Sequence, residues 1–271
     1  MTRAVSWLLS AAVAAALLKL LVIWLEPRMA FFPFRGVQET PASAGVAFSD
    51  ETIATADGER LHAWWIAHPE PRGQVVFWHG NGGNLSLWLD LILEFHTRRF
   101  SVLAVDYRGY GASTGRPSEQ GLYRDAEAVV GEFHRRLRQP GSPVIYWGRS
   151  LGSTVAAYSA SLHPPEALVL ESPMPDVSAV LRTNPVLWLL GFFSSYRFPT
   201  SRFLAGYEGP LLVVHGDADS IIPFHAGKRV FEQAPTSRKT FVPLPGTDHN
   251  DPYFASSSPY WAAVEAFLAT M

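Results

Sequence analysis

The 271-residue chain contains no cysteine. That excludes a disulfide scaffold, a thiolate nucleophile and a cysteine-ligated metal. It leaves the redox compartment open, because a chain without thiols suits either environment. Charge is also scarce: Asp, Glu, Lys and Arg make up 17% of the residues, against roughly 25% in an average soluble domain. With 48% hydrophobic residues, this composition excludes disorder. A formal net charge of −2 offers no electrostatic footprint for nucleic acid, and no nucleic-acid partner is expected. The length suits one large domain or two small ones.

What is present is unevenly spread. Residues 4–25 read AVSWLLSAAVAAALLKLLVIWL, with Ser6, Ser10 and Lys19 as the only polar side chains. About 20 apolar residues at 1.5 Å rise cover a hydrocarbon core of roughly 30 Å. Trp7 and Trp24 sit near the two ends, where indoles favour the membrane interface, and Lys19 can snorkel outward. A cleaved leader needs a shorter apolar core followed by a small-residue cleavage site. Here the small-residue run Ala11–Ala16 lies mid-stretch and is followed by Leu, Val, Ile and Trp. The expectation is therefore an uncleaved single-pass anchor over 4–25. Arg3 and the terminal amine nearly balance Arg28 and Arg35 across it, so sidedness is weakly signalled, with a lean to the bulk of the chain lying outside the cytoplasm.

Residues 26–44, with Pro27, Pro33 and Pro41, read as a juxtamembrane connector, and the rest (45–271) as one domain. On these boundaries, removal of residues 1–26 leaves a soluble, active domain. Thr52–Ala56 and Arg60–His68 flank Asp57-Gly58, a hairpin signal. Short apolar runs follow at Gln74–Trp78, Ser101–Asp106, Val144–Trp147, Ala167–Leu170, Leu211–Val214 and Thr240–Leu244. Helical patterns lie between or after them at Leu85–Arg99, Arg124–Leu137, the stretch from Ser150 to about His163, Ile222–Gln233 and Tyr260–Ala269. Strands alternating with helices imply a mostly parallel sheet covered on both faces. In such sheets ligands bind at the carboxyl ends of the strands.

Gly148-Arg149-Ser150-Leu151-Gly152 fits G-x-S-x-G between an apolar run and a helical stretch, the context a nucleophile elbow requires. The sharp turn holds Ser150 in a strained conformation at a helix amino terminus, where the dipole favours developing negative charge. A serine hydroxyl needs a base, and in this motif's chain order an acid and then a histidine follow the serine. Of the nine histidines, His163, His215, His225 and His249 lie after Ser150. His163 sits at a helix end beside two prolines, His215 ends a β-run, and His225 falls inside a helix. His249, in GTDHND, lies on the loop after the last β-run and is the expected base. HGDADSIIP (215–223) supplies Asp217 and Asp219 as candidate acids. Spacing favours Asp219, because Asp217 follows Gly216 so closely that it caps the turn. Asp248 and Asp251 read as turn and cap residues. The amide of Leu151, next after the nucleophile, and that of Asn81 in the HGNGGN loop (79–84) are the expected oxyanion donors. Neither G-x-x-x-x-G-K-[ST] nor G-x-G-x-x-G occurs there; no cofactor and no metal site is expected.

HGNGGN, DYRGYGAS, GRSLGS, HGDADSIIP and GTDHND stand in the order seen in α/β-hydrolases, and the chain from about residue 30 resembles the membrane-anchored branch with Bem-type and serine-aminopeptidase-like (S33-type) members. FFPFRG followed by the TADGERLHAWW hairpin is part of that likeness. The resemblance implies an α/β-hydrolase fold with Ser150 as nucleophile, Asp219 as acid, His249 as base, and the amides of Asn81 and Leu151 as oxyanion hole. It implies acyl transfer but leaves ester, thioester and amide substrates open. The insertion 173–201 reads as a lid. Its run of Leu187, Trp188, Leu189, Leu190, Phe192 and Phe193 is expected to cover an acyl-chain site or lean on the bilayer, unless it packs as a core helix. Only Asp176, Arg182 and Arg197 are charged there, whereas a site for a free amino terminus calls for a carboxylate pair. A membrane-tethered acyl-ester hydrolase therefore ranks above a peptidase or amidase, and above a non-catalytic binding module.

Overall fold

The computed structural model describes residues 3–251, 253 and 259–270. Helix α1 (Arg3–Ala30) carries the apolar run. It continues five residues past the expected end at Leu25, so the first part of the expected connector is helical. Pro27 lies in its last turns, and the Phe31 amide still bonds to the Pro27 carbonyl. The stretch Val5–Ala30 is long and apolar enough to cross a membrane, and its most apolar window has no buried residue, whereas Glu26 near its end is buried. At its end the Arg28 guanidinium lies 4.7 Å from the Trp24 ring, a pairing suited to an interface.

The connector then becomes structural. Strand β1 (Phe32–Pro33) pairs in parallel with β5 (Gly82–Gly83), inside the HGNGGN loop. Beyond it, Gly36 and Arg35 bond to the DYRGYGAS loop and the residues just after it: the Gly36 amide to the Gly111 carbonyl, and the Arg35 guanidinium to the carbonyls of Ser113 and Gly115.

The main sheet contains β2 (Ser49–Ala54), β3 (Arg60–Ile66), β4 (Gly73–Trp78), β6 (Phe100–Val105), β7 (Val144–Arg149), β8 (Ala167–Glu171), β9 (Leu211–Gly216) and β10 (Lys239–Leu244). Their spatial order is β10-β9-β8-β7-β4-β6-β3-β2. The β2–β3 hairpin is antiparallel and joins β6 antiparallel; the remaining pairs are parallel. The central strands β4, β6, β7, β8 and β9 are buried at every residue, as expected where both sheet faces are covered.

The helices are α2 (Leu89–Thr97), α3 (Glu119–Glu132), α4 (Leu151–Leu162), α5 (Ser178–Leu181), α6 (Pro185–Gly191), α7 (Thr200–Phe203), α8 (Phe224–Gln233) and α9 (Tyr260–Leu268). Residues of α3, α4 and α8 share one core with one face of the sheet, and those of α2 and α9 share a second with the other. Two helices begin away from their expected starts. The Asn84 side chain turns the chain through the Ser86 amide, delaying α2 to Leu89. Ser118 caps α3 through the Gly121 amide, moving its start forward to Glu119.

Candidate active site

The turn between β7 and α4 places Ser150 at φ 54°, ψ −117°, a region non-glycine residues rarely occupy. The flanking glycines are there for space. A Cβ on Gly148 would lie 2.2 Å from the Gly152 carbonyl oxygen, and one on Gly152 would lie 2.0 Å from the Trp78 carbonyl oxygen. The Ser150 amide is bonded to the Glu171 carbonyl, which ties the elbow to β8. The Leu151 amide opens α4 and so has no i−4 carbonyl within the helix.

His249 and Asp219 come to the same edge on the loops after β10 and β9. His249 Nε2 lies 3.0 Å from Ser150 Oγ, and His249 Nδ1 lies 2.8 Å from Asp219 Oδ2. Ser150, Asp219 and His249 thus form one hydrogen-bonded chain. Asp219 is richly supplied with donors. Its Oδ1 accepts from the amides of Ile221 and Ile222, and its Oδ2 accepts from Ser172 Oγ at 2.8 Å. Burial opposes its ionisation, but bonds from His215 and His249, the His249 charge and the Ile222 amide outweigh it and hold the carboxyl well below the usual carboxylate range. Asp217 is exposed and accepts from the Gly246 amide, the turn role expected of it. Asp248 and Asp251 likewise accept from the amides of Ser220 and Asp248.

Asn81 is pinned by Ala30 and Tyr110. Its Nδ2 donates to the Ala30 carbonyl at 2.6 Å, while its Oδ1 and its carbonyl both accept from Tyr110 Oη. Ser150, Leu151 and Asn81 line one cavity of about 490 Å³. The chain Asp219–His249–Ser150 can pass the serine proton to an imidazole whose tautomer the carboxylate fixes. Amides at Leu151 and Asn81 can meet negative charge developing on an attacked carbonyl.

Sequence reasoning missed the residues that hold this arrangement. His215, expected only to shape a turn, is fully buried with Nε2 2.9 Å from the Ile222 carbonyl and 3.3 Å from Asp219 Oδ2. Ser172 joins Asp219 to Tyr253, whose hydroxyl lies 2.6 Å from Ser172 Oγ. Arg149, the variable residue of the G-x-S-x-G match, is buried. It donates to Glu171 Oε2 at 3.1 Å and to the carbonyls of His249 and Asp251 at 2.7 and 3.0 Å. Its guanidinium stands 4.1 Å from the Tyr253 ring. These partners are far apart in the chain and match no short pattern; the one available signal was a charged residue inside an otherwise small, apolar elbow.

Fold and site together define an α/β-hydrolase. Residues 69–208 match the family described as serine aminopeptidase, S33, and the chain belongs to it. An uncharacterised protein of Mycobacterium tuberculosis, Rv2307c, is 34% identical over 253 residues, covering 92% of this chain and 89% of that one. The α/β-hydrolase domain-containing protein WAV2 of Arabidopsis thaliana is 31% identical, covering 84% and 81%. The lysophosphatidylserine lipase ABHD12 of Gallus gallus is 31% identical over 184 residues, covering 60% and 48%. Among solved structures, the Pyrococcus furiosus esterase Pf2001 shares the fold with a TM-score of 0.73 at 20% identity, covering 89% of this chain and 97% of that one.

Proposed function

We propose that the protein is a membrane-anchored serine hydrolase that cleaves carboxylic esters or thioesters of hydrophobic acyl groups. The observation that carries this reading is a serine hydroxyl, bonded to an imidazole, opening into a cavity whose walls are otherwise almost entirely apolar. Residues 4–25 serve as the span, 45–271 as the hydrolase domain and 173–201 as its lid.

In the proposed course, Ser150 Oγ attacks the acyl carbonyl while its proton passes to His249 Nε2. The amides of Asn81 and Leu151 stabilise the oxyanion. His249 then gives its proton to the leaving alcohol or thiol, and an acyl-Ser150 ester remains. Water, deprotonated by His249, attacks that ester and releases the acid, restoring Ser150. Asp219, held ionised, stabilises the imidazolium at both stages. An aminopeptidase reading is disfavoured because Glu26 is the one carboxylate among the described residues lining the cavity, and its oxygens accept from Ser194 and Ser195. Among the described residues lining the cavity, no carboxylate pair awaits an ammonium group.

A serine-reactive fluorophosphonate tests the reading. Wild type is expected to label and Ser150→Ala to remain unlabelled; equal labelling of the two rejects it. A panel of esters with graded acyl length, run beside an aminoacyl amide, is expected to show kcat/KM rising with chain length and little turnover of the amide.

A further inference from the structure

The cavity above Ser150 is not enclosed by the hydrolase domain alone. One whole wall comes from α1: Leu18, Leu21, Val22, Leu25, Glu26 and Met29 line it, a stripe at helical spacing. The opposite wall is the lid, with Val177, Val180 and Leu181 at α5 and Leu187 and Leu190 on α6. Ser150, Leu151 and Asn81 line the same cavity. Lid and anchor are joined by polar contacts: Glu26 accepts from the Ser194 and Ser195 hydroxyls and from the Ser195 amide.

The depth of this wall decides what it receives. The Trp24–Arg28 pair marks the interfacial end of the span. Leu18 lies ten residues before Arg28, about 15 Å along the helix axis, or roughly half the thickness of a hydrocarbon core. The wall therefore runs through one leaflet. The outer surface of the lid agrees. Neither α5 nor α6 has a buried residue, and Val186, Trp188, Leu189 and Phe192 are each half exposed or more. Phe32 and Phe34 are exposed in the same way just after α1. Such a surface is costly in water and suits the boundary between headgroups and chains.

We propose that the anchor helix is a structural part of the acyl site, so that the substrate is a leaflet-resident lipid carrying a long-chain acyl ester, which reaches Ser150 sideways between α1 and the lid without leaving the bilayer. A volume of about 490 Å³ lies within the range of small-ligand clefts, and with a lining that runs along α1 from Leu18 to Met29, about 16 Å of helix, it takes one chain. The proposal takes its chemistry from the serine-hydrolase reading but its geometry from the cavity alone.

The test uses the full chain in phosphatidylcholine vesicles. In the Ser150→Ala background, a palmitoyl glycerol ester with a diazirine at the chain terminus is expected to cross-link residues 18–29 and 174–191. Leu21→Trp and Leu25→Trp, which fill the cavity, should each lower that yield at least fivefold. Leu20→Trp, on an exposed part of the same helix away from the cavity, should leave it unchanged. Unchanged yield in both filled variants overturns the inference. With Ser150 intact, Leu25→Trp should lower the ratio of long-chain to acetyl ester turnover at least tenfold; loss of both esters in equal proportion also overturns it. If wild type and Ser150→Ala hydrolyse acetyl ester equally, the hydrolase reading fails, and the cross-linking map still decides the geometry.

Discussion

Arg149→Met separates what holds His249, the proposed base, from what holds the fold. Arg149 is buried among three acceptors: the Glu171 carboxylate and the carbonyls of His249 and Asp251. Methionine keeps much of the volume and supplies no donor. Glu171 is fully buried and keeps Trp147 Nε1 and the Tyr260 hydroxyl as donors, but it loses its cationic partner. Breaking a buried pair from one side costs about 3–5 kcal/mol. For a chain of this size that corresponds to roughly 6–20 °C in Tm, readable from intrinsic tryptophan fluorescence in detergent. The His249 loop loses its two ties to the elbow at the same time. A displacement of 1 Å at such a centre costs about 10²-fold in rate, so kcat for a short soluble ester should fall by that order at a temperature where the variant is fully folded. The double variant Arg149→Met/Glu171→Gln distinguishes the two effects. Neutralising Glu171 removes the unpaired charge, and the stability loss should shrink to about 1–3 kcal/mol. The His249 and Asp251 carbonyls remain untied, so kcat should stay low. Recovery of stability and kcat together in the double variant refutes the positioning role, as does an Arg149→Met enzyme with unchanged kcat.

Asp219→Asn should keep the fold and lower kcat on the order of 10⁴-fold, whereas Asp217→Asn, at an exposed turn, should stay near wild type; a reversed pattern in steady-state assays reassigns the acid. Gly152→Ala drives a Cβ onto the Trp78 carbonyl and should cost about 3 kcal/mol or more; near-wild-type unfolding in urea contradicts the reading of the elbow. His62 lies between the carboxylates of Asp106 and Asp50 at 3.1 and 2.9 Å; burial opposes its protonation, but the two carboxylates outweigh it and raise its pKa. Its contribution to stability is thus fully present below about pH 6.5 and is lost as pH rises through the raised value. The Tm gap between wild type and His62→Gln should be widest near pH 6 and close towards pH 9, and a gap that widens with pH contradicts the assignment. Removing residues 1–26 takes Leu18, Leu21, Val22, Leu25 and Glu26 out of the cavity wall but leaves Ala30 and β1, which hold the Asn81 loop. Short esters should still be turned over and long-chain esters should not, as a comparison of kcat/KM on the two will show.

The runs of the central strands were legible because a strand buried on both faces is mostly apolar, and those of β4, β6, β7 and β9 led into glycine-containing loops. The Ser150 elbow was legible for a steric reason: two near positions must lack a Cβ, and that requirement leaves a mark in the sequence. The positions of His249 and Asp219 followed from chain order and loop placement. What stayed hidden was most of what depends on contacts between distant segments. Ser172 looks ordinary in sequence and comes within reach of Asp219 only when β8 and β9 lie side by side, whereas His215 stands four residues before Asp219 and its contact is local. The ends of α2 and α3 shifted because single polar side chains, Asn84 and Ser118, set the turns that start them.

The stretch from Glu26 to residue 44 resisted reading most, and its structure explains why. It has no single period because it passes from the end of α1 through the two-residue β1 to a one-turn 3₁₀ helix at Pro41–Ala44, and much of the backbone between them bonds to other loops. The Ala30 carbonyl takes a bond from the Asn81 side chain, β1 pairs with Gly82 and Gly83, and Phe34 exchanges backbone bonds with Gly83 and Gly111. A glycine-rich loop such as HGNGGN has many conformations open to it, and an oxyanion amide is useful only if it is already aimed. The segment leaving α1 supplies that constraint from one side, and Tyr110 supplies it from the other. The apolar helix and the Ser150 edge are therefore not joined by a free tether: α1 meets the Asn81 loop through two bonded residues, Ala30 and Phe32, so a stretch that looked like a linker ties the helix directly to the site.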